Sequence, residues 1–399
     1  MRPVFCSLTK SSQEANSGYA GKGWCKMFPP KTVGIIGNVG KMAVNVVEPL
    51  FVEAGYEVIG SDIKNPSGLS SKTVAERSDV VYFSIAPICN VAAEIAELIP
   101  HAKHGALWLH GTSIQNPRRG PITQVLLSPI LAERKVDVGF LHFMVGPMVK
   151  SLRGQSVVYG FCRPPTNPEW KKWLIELLQR KNPFLLERTP EFHDELTAGS
   201  QVIPQIAAVV IGQLWRKQKF SLSEVLRTAG PPCWLQSYGI LRNLSQSAII
   251  ANIIANHPKA QKIVEEAIVI LQTMKESLVG EGEKLIAEMA LDSLKAVSED
   301  ELNAIKRSID WHVRLEGDMR GGAVYCIFQS VENKMGLLTR VLQIFDEQGL
   351  DKTSCMAQET PGGGCTFYIG VKADINGPQV SRVCRKITAD LGGNASVMR

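Results

Sequence analysis

The sequence predicts three folded parts in order: an α/β domain on a doubly wound parallel sheet, an all-α block, and a small α+β module. Three observations carry this prediction. Over residues 31–188 short apolar runs alternate with helical segments, which is typical of a parallel sheet covered by helices. Residues 189–320 have an almost wholly helical pattern, and residues 323–399 return to mixed strands and helices. A chain of 399 residues is long enough for two or three such domains.

The composition excludes several classes of protein. Hydrophobic residues make up 45% and charged residues 21% of the chain, as in globular proteins. The net charge of +6 comes without a long Lys/Arg run, so we expect no nucleic-acid partner. No apolar run reaches the ~18 residues that span a bilayer, so we expect no membrane partner. Nine scattered cysteines without a CxxC pair argue against a metal site and favour a reducing, cytoplasmic location.

Residues 1–30 differ in composition from the rest of the chain. Their charged residues are four bases and one acid, namely Arg2, Lys10, Lys22, Lys26 and Glu14. One interpretation is a disordered leader. The alternative is an organelle transit peptide, in a plastid for example, and that would replace the cytoplasmic prediction.

The first domain, residues 31–188, contains a series of buried apolar runs. The predicted strands are 32–36, 56–62, 79–85, 106–109, 136–141 and 155–159. Helical sequence separates the first of them, as in βαβ units. Because strands linked by crossover helices run parallel, we expect a parallel sheet throughout.

A glycine-containing loop, Gly37-Asn-Val-Gly40-Lys-Met-Ala43, follows the first strand. Small residues there let the backbone approach a pyrophosphate at the N-terminus of the following helix. Asp62, at the end of the second strand, can accept a bond from the ribose 2′-OH, which favours NAD over NADP. The alternative is a glycine turn in an α/β domain that binds no nucleotide. The candidate cofactor-binding residues are Gly37, Asn38, Val39, Gly40, Met42, Asp62, Ala86 and Pro87.

Two histidines lie where strand and helix patterns begin or end. His142 follows a predicted strand, and His193 lies at the start of a predicted helix that Thr189 caps. Histidine titrates nearest neutrality, so it suits a group that takes a proton while a cofactor takes a hydride. The alternatives are a satisfied buried histidine for His142 and a polar helix-start residue for His193. The other histidines are predicted to lie on surfaces or in structural bonds: His101, His104, His110, His257 and His312.

The all-α block and the last module have separate patterns. Pro204 is predicted to kink the first long helix, and Gly230-Pro-Pro232 to interrupt the next region. Long helices are expected over 237–256 and 259–279. By analogy, such a block often forms a homodimer interface. In the last module the predicted strands are 324–328, 354–358, 366–371 and 395–397, and the predicted helices are 336–348 and 378–390. This βαββαβ order is that of a ferredoxin-like sandwich.

Five motifs occur in the order in which prephenate and arogenate dehydrogenases carry them, and the chain resembles that family over nearly everything after residue 30. The motifs begin at Ile36, Ser84, His110, His142 and Thr189, the fourth continuing into Ser151-Leu-Arg-Gly-Gln and the last into Gln201. In addition, Val331-Glu-Asn-Lys-Met-Gly336-Leu-Leu resembles the first loop and helix of ACT domains that sense aromatic amino acids.

The resemblance implies a Rossmann-type domain, a helical dimerisation domain and a regulatory ACT domain. It also implies NAD-dependent oxidative decarboxylation of prephenate to 4-hydroxyphenylpyruvate, or of arogenate to tyrosine. His142 would accept the proton of the ring hydroxyl, Ser113 would bond the same region, and His193 would lie near the substrate and the nicotinamide. The remaining implied residues are Gln201 and Arg242 for the substrate, and Asn333, Met335 and Gly336 for an effector, tyrosine or phenylalanine.

The chain departs from the family at several positions. Phe143 stands where proline usually follows the histidine, His110 where an acid is common, and Gln115 where a lysine is common. Arg242 falls a residue or two from the arginine that binds the ring carboxylate. Two alternatives therefore stay open: another NAD-dependent dehydrogenase of the hydroxyacid type, and a non-catalytic homologue that senses amino acids.

Overall fold

The computed structural model describes residues 28–146, 149, 152 and 155–398, with gaps. The gaps are residues 66, 182, 229, 279–281, 296, 304–305, 307–323, 331–333, 361–363, 372 and 375–376. The chain divides between Asp194 and Glu195 into two compact units. Residues 1–27 of the predicted leader lie outside the described residues, as do Pro147, Ser151 and Asn333. Phe28, which the leader prediction included, packs against the core of the first unit. The division into three domains stays a prediction.

A seven-stranded sheet forms the centre of the first unit. Its strands are β1 Thr32–Ile36, β2 Glu57–Ser61, β3 Val80–Phe83, β4 Leu107–His110, β5 Asp137–Phe143, β6 Ser156–Phe161 and β7 Phe184–Glu187. Their spatial order is β2-β1-β3-β4-β5-β6-β7. Strands β1 to β5 are parallel, as predicted.

The prediction of a parallel sheet throughout is wrong at one side. Strand β6 pairs antiparallel to β5, with His142 opposite Val158. Strand β7, which the sequence analysis missed, pairs parallel to β6. A buried strand has the same apolar run in either direction, so the pattern could not give the direction of β6. β7 is a short, half-exposed run at the sheet edge, and its pattern is correspondingly weak.

Helices cover both faces of this sheet. They are a π-helical turn Ala43–Val47 continuing into α1 Glu48–Val52, then α2 Ser71–Arg77, α3 Ile88–Leu98, α4 Ile122–Leu126, α5 Pro129–Glu133 and α6 Glu169–Gln179. Alternate strand residues enter different cores: Tyr82 packs in one with Trp173, and Val81 and Phe83 in the other with Trp108. A strand that is buried on both faces belongs to a doubly wound sheet, as predicted.

The strand order reverses at β1. The chain passes from β1 to β2 on one side and then to β3 on the other side. Loops leaving the carboxyl ends of β1 and β3 therefore diverge, which opens a crevice where ligands bind in folds of this kind. The Gly37 loop follows β1, and Ser84-Ile-Ala-Pro87 follows β3.

Helices dominate the chain after β7, and the first of them crosses the division between the two units. They are α7 Pro190–Thr197, a π-helical turn Ala198–Val202, α8 Ile203–Lys217, α9 Leu222–Thr228, α10 Pro231–Leu244, α11 Ser247–Asn256, α12 Ala260–Ser277 and α13 Gly282–Leu294. The π-helical turn ends two residues before Pro204. A proline has no N–H to donate to the preceding turn, and its ring crowds the carbonyl there. The i→i+5 hydrogen bonds of the π-helical turn accommodate this proline.

The last part of the second unit has the predicted βαββαβ order. Its elements are β8 Val324–Ser330, α14 Leu337–Glu347, β9 Lys352–Thr360, β10 Gly364–Val371, α15 Pro378–Leu391 and β11 Asn394–Met398. The antiparallel sheet has the order β11-β8-β10-β9, that of a ferredoxin-like sandwich. Phe328, Phe345 and Ile369 belong to a hydrophobic core contained within this part.

In the part of the chain that the structure describes, no helix combines the length and the hydropathy needed to cross a bilayer. The cytoplasmic location stays a prediction.

Candidate active site

The loop after β1 can take its course only with glycine at its first position. Gly37 has φ +88°, in the left-handed region, and an added Cβ would collide with the backbone carbonyl oxygen of Ser84. Its N–H donates to the carbonyl of Ser61 at 2.8 Å. At Gly40 an added Cβ would lie 3.2 Å from the carbonyl oxygen of Gly37. The loop is thus held against the ends of β2 and β3, with a surface of small residues.

Asp62 lies beside this loop, where the sequence predicted it. Its Oδ1 accepts the N–H of Lys64 at 2.8 Å, and its Oδ2 accepts that of Val39 at 3.4 Å. A carboxylate offers about four acceptor positions, so Asp62 retains capacity for a ribose hydroxyl. Asn38 packs on Gly60, and its buried Oδ1 has no hydrogen-bond partner among the described residues.

The remaining predicted cofactor residues follow the same two strands. Val39 is exposed and Met42 half-buried at the beginning of the helix after β1. Ala86 and Pro87 are exposed after β3, and Pro87 is the N-cap of α3. The glycine cradle, the acid and the unsatisfied amide oxygen together fit a dinucleotide at this crevice.

His142 and His193 form one buried hydrogen-bonded pair. His142 comes from β5, and its Nδ1 lies 2.9 Å from Nε2 of His193 in α7. Its other nitrogen, Nε2, lies 3.2 Å from Oγ of Ser113, in the loop after β4. The three predicted catalytic residues therefore meet at the carboxyl ends of the parallel strands.

Asp194 joins the same network, although the sequence analysis gave it no role. Its Oδ1 accepts the N–H of Gln115 and its Oδ2 that of Asn116, each at 2.7 Å. Nδ1 of His193 lies 3.3 Å from Oδ1. The carboxylate thus ties α7 to the loop that carries Ser113.

His110 is held in a structural hydrogen bond, as the sequence analysis expected. It is fully buried at the end of β4, beside Phe140. Its Nδ1 lies 2.8 Å from Oγ1 of Thr112, and that hydroxyl donates to the carbonyl of Ile114. The ring must therefore donate to Thr112, which is the structural bond that was expected of it. The in-register pairing of β4 with β5 brings His110 close to the other two histidines, and the sequence gave no register.

Burial keeps two of these rings neutral. Removal from water, together with the neighbouring His193 and His110, lowers the pKa of His142 to about 3. Burial likewise lowers the pKa of His110 to about 3, with His193 contributing. His142 therefore holds an available lone pair across the neutral pH range.

The other predicted site residues lie in the second unit. Gln201 is half-buried in the π-helical turn, and Arg242 is exposed in the last turn of α10. Met335 is fully exposed, and Gly336, at φ +81°, is the N-cap of α14. Roles in binding substrate or effector stay predictions for these residues.

Solved structures match this fold, although no family profile matches the chain and no curated protein matches its sequence. Prephenate dehydrogenase from Aquifex aeolicus, in complex with hydroxyphenyl propionate and NAD⁺, aligns over 67% of this chain and 98% of its own, with 17% identity and a TM-score of 0.51. A protein provisionally assigned as a prephenate dehydrogenase, from Corynebacterium glutamicum, aligns over 67% and 88%, with 16% identity and a TM-score of 0.50. Arogenate dehydrogenase from Synechocystis aligns over 67% and 100%, with 16% identity and a TM-score of 0.47.

Over 67% of its length the chain has the fold of prephenate dehydrogenase. At 16–17% identity the likeness establishes the fold alone. The activity has to be argued from the site residues.

Proposed function

We propose that the chain is an NAD-dependent dehydrogenase that oxidatively decarboxylates prephenate or arogenate in tyrosine biosynthesis. One observation carries the proposal: Ser113, His142 and His193 form a single chain of hydrogen bonds, with both histidines buried, at the carboxyl ends of the parallel strands, where the Gly37 loop also begins. A neutral imidazole beside a dinucleotide cradle suits the oxidation of a carbinol. The ligands of the Aquifex structure, a hydroxyphenyl acid and NAD⁺, support the same chemistry.

The residues of the crevice would hold the cofactor. Gly37 and Gly40 let the backbone come close to the pyrophosphate. Asp62 would accept a ribose hydroxyl and repel the 2′-phosphate of NADP. NAD⁺, when bound, would supply the hydride acceptor for C4 of the cyclohexadienol ring.

His142 would control the proton of the C4 hydroxyl. Its Nε2 takes that proton while the C4–O bond gains carbonyl character. The ring carboxylate then leaves as CO₂, and its bonding electrons complete the aromatic ring. The resulting phenolate oxygen takes the proton back from Nε2, so the substrate loses a hydride and CO₂ without net release of a proton. Ser113, 3.2 Å from the same nitrogen, would orient the hydroxyl.

Binding of the substrate carboxylates is proposed for Arg242, with Gln201 as a polar contact. A guanidinium suits a carboxylate because it donates two parallel hydrogen bonds. Selection between the keto acid and the amino acid would depend on contacts to the side chain of the substrate.

The ferredoxin-like part is proposed to act as an ACT domain. Its core is its own, as expected of a regulatory module. Gly336, in the left-handed region at the turn before α14, leaves the space above its Cα open, so an amino-acid effector could approach the backbone there. Tyrosine is the proposed effector, with phenylalanine as the alternative.

A homodimer is proposed through the helical part. Large apolar side chains are exposed on four of its helices: Ile203, Leu214, Ile249, Ile268, Leu271, Leu285 and Leu291. Exposed apolar surface of this extent is typical of protein interfaces.

NADH formation, followed at 340 nm, tests the activity. Purified protein is given NAD⁺ or NADP⁺ with prephenate, arogenate or a panel of simple hydroxy acids. We expect turnover with NAD⁺ and one or both of the first two substrates. Turnover only with hydroxy acids would favour a dehydrogenase of the hydroxyacid type, and no turnover with any substrate would favour a non-catalytic sensor.

A further inference from the structure

We propose that Asp194 is a positioning residue that sets the direction of the hydrogen bonds through both histidines, so that His142 presents a bare Nε2 to the substrate. The inference rests on the proposed function for its effect on turnover. Its structural part can be measured without any substrate.

The carboxylate of Asp194 fixes the first hydrogen bond of the chain. Backbone N–H groups can only donate, and Gln115 and Asn116 each point one at an oxygen of Asp194, at 2.7 Å. Both oxygens are therefore acceptors. A carboxylate has no proton to donate, so the contact between Oδ1 and Nδ1 of His193 requires the proton on the ring nitrogen.

A neutral imidazole has a single N–H, so the position of the proton on His193 also fixes its position on His142. With its proton on Nδ1, His193 has a bare Nε2 that must accept from Nδ1 of His142, 2.9 Å away. His142 in turn has a bare Nε2. Ser113 donates to that nitrogen in the structure, and a substrate hydroxyl would take its place as the donor.

The direction decides whether His142 can act as a base. With the order reversed, Nε2 of His142 would carry a proton and could only donate to the substrate hydroxyl. Asp194 is placed to prevent this, because its acceptor oxygens are fixed by the backbone of the Ser113 loop. The same two backbone bonds hold that loop against α7, so the tautomer and the position of Ser113 are set together.

The first test is NMR of the unmodified protein labelled with ¹⁵N-histidine. Two-bond ¹H–¹⁵N couplings identify which nitrogen carries the proton, and His142→Asn and His193→Asn assign the signals. We expect both rings in the Nδ1–H form at pH 7, without substrate or cofactor. An Nε2–H form on either ring, or a charged His193, would overturn the proposal.

The second test is Asp194→Asn, with Asp137→Asn as its matched control. Asp137 is also a buried carboxylate that accepts two backbone N–H groups, of Thr166 at 2.6 Å and Asn167 at 3.0 Å, but its recorded bonds involve no histidine. Asp194→Asn should give His142 a substantial Nε2–H population. It should also lower kcat by roughly 10²-fold or more, with KM changed much less.

Each outcome of these tests decides something. Asp137→Asn should reduce thermal stability but leave the tautomers and kcat near those of the unmodified protein. A fall in kcat for Asp194→Asn with unchanged tautomers would mean a merely structural role and would overturn the proposal. If Asp194→Asn does not fold, the tautomers of His142 and His193 in the unmodified protein still test the proposed direction of the hydrogen bonds. If no substrate is turned over, the proposed function fails, while the NMR result stands separately.

Discussion

Nδ1 of His142 and Nε2 of His193 are 2.9 Å apart, although the two residues are separated by 51 positions in the chain. One ring comes from β5 and the other from α7, and their planes meet edge to face at a centroid distance of 5.1 Å. This contact brings together the motifs that begin at His142 and at Thr189, for which the sequence gave only the order along the chain. The predictions below test that site and the parts of the chain that serve it.

Replacing His142 tests the proton acceptor. His142→Asn should lower kcat by roughly 10²-fold or more, the usual contribution of a positioned general base. KM for the substrate should change much less, since binding depends on other groups. The control is His101→Asn, which removes a more exposed histidine paired with Glu76 at 3.1 Å and should leave kcat unchanged. A His142→Asn protein with full kcat would remove His142 from the mechanism.

Replacing Gly37 tests the nucleotide cradle. Gly37→Ala should weaken NAD binding by roughly 10-fold or more, because its methyl group would displace the loop from Ser84. The control is Gly55→Ala, because Gly55 has nearly the same φ, +89°, but nothing lies within 4 Å of the added methyl group. Titration calorimetry with NAD⁺ compares the two. Equal losses of affinity in both variants would mean that backbone strain, and not the cradle, explains the effect.

Acid should destabilise the protein through the buried histidines. The pKa of His110 and that of His142 are each lowered to about 3, against about 6.5 in an unfolded chain. Between these values the unfolded chain binds protons that the folded one does not. The free energy of unfolding should therefore fall as the pH falls below about 6.5, by up to about 1.4 kcal/mol per pH unit for each histidine.

The variant that checks this slope is His110→Gln, measured by urea unfolding at several pH values between 7 and 4. Its unfolding free energy should depend less steeply on pH than that of the unmodified protein. His101→Gln, at a more exposed site, is the control for the substitution itself. The same low pKa predicts that His142 adds no titration near neutrality to kcat/KM of the free enzyme, and a limb near pH 6.5 that His142→Asn abolishes would contradict it.

The C-terminal part is predicted to carry feedback inhibition. L-tyrosine should inhibit the whole chain, and truncation at about Gly322 or Gly336→Asp should abolish that inhibition with turnover largely kept. Gly349→Asp is the control, since Gly349 also has a positive φ, +64°, with open space around it, but lies after α14. Tyrosine can also compete at the active site. If the truncated protein is inhibited as strongly as the whole chain, the C-terminal part is not the sensor.

The sequence alone determined much of the fold because local patterns carry it. Tyr82 is buried on one face of the sheet, and Val81 and Phe83 are buried on the other. This follows from the two-residue period of a strand, which places successive side chains on opposite faces. The sequence predicted the turn at Gly37 and the strand-end position of Asp62, because a tight turn and the end of a strand each restrict which residues fit. The βαββαβ order of residues 323–399 followed in the same way from alternating periods.

Only the tertiary structure decided the direction of β6, the edge strand β7, and the hydrogen-bond partners of His110 and Asp194. An apolar run shows that a strand is buried, but the direction of its neighbour is set by pairing between distant segments. The carboxylate of Asp194 accepts the N–H of Gln115 across 79 positions, and no local pattern encodes that contact. Side chains converge in a site only when the strand register and the packing of helices on the sheet bring them together, and both are properties of the folded chain.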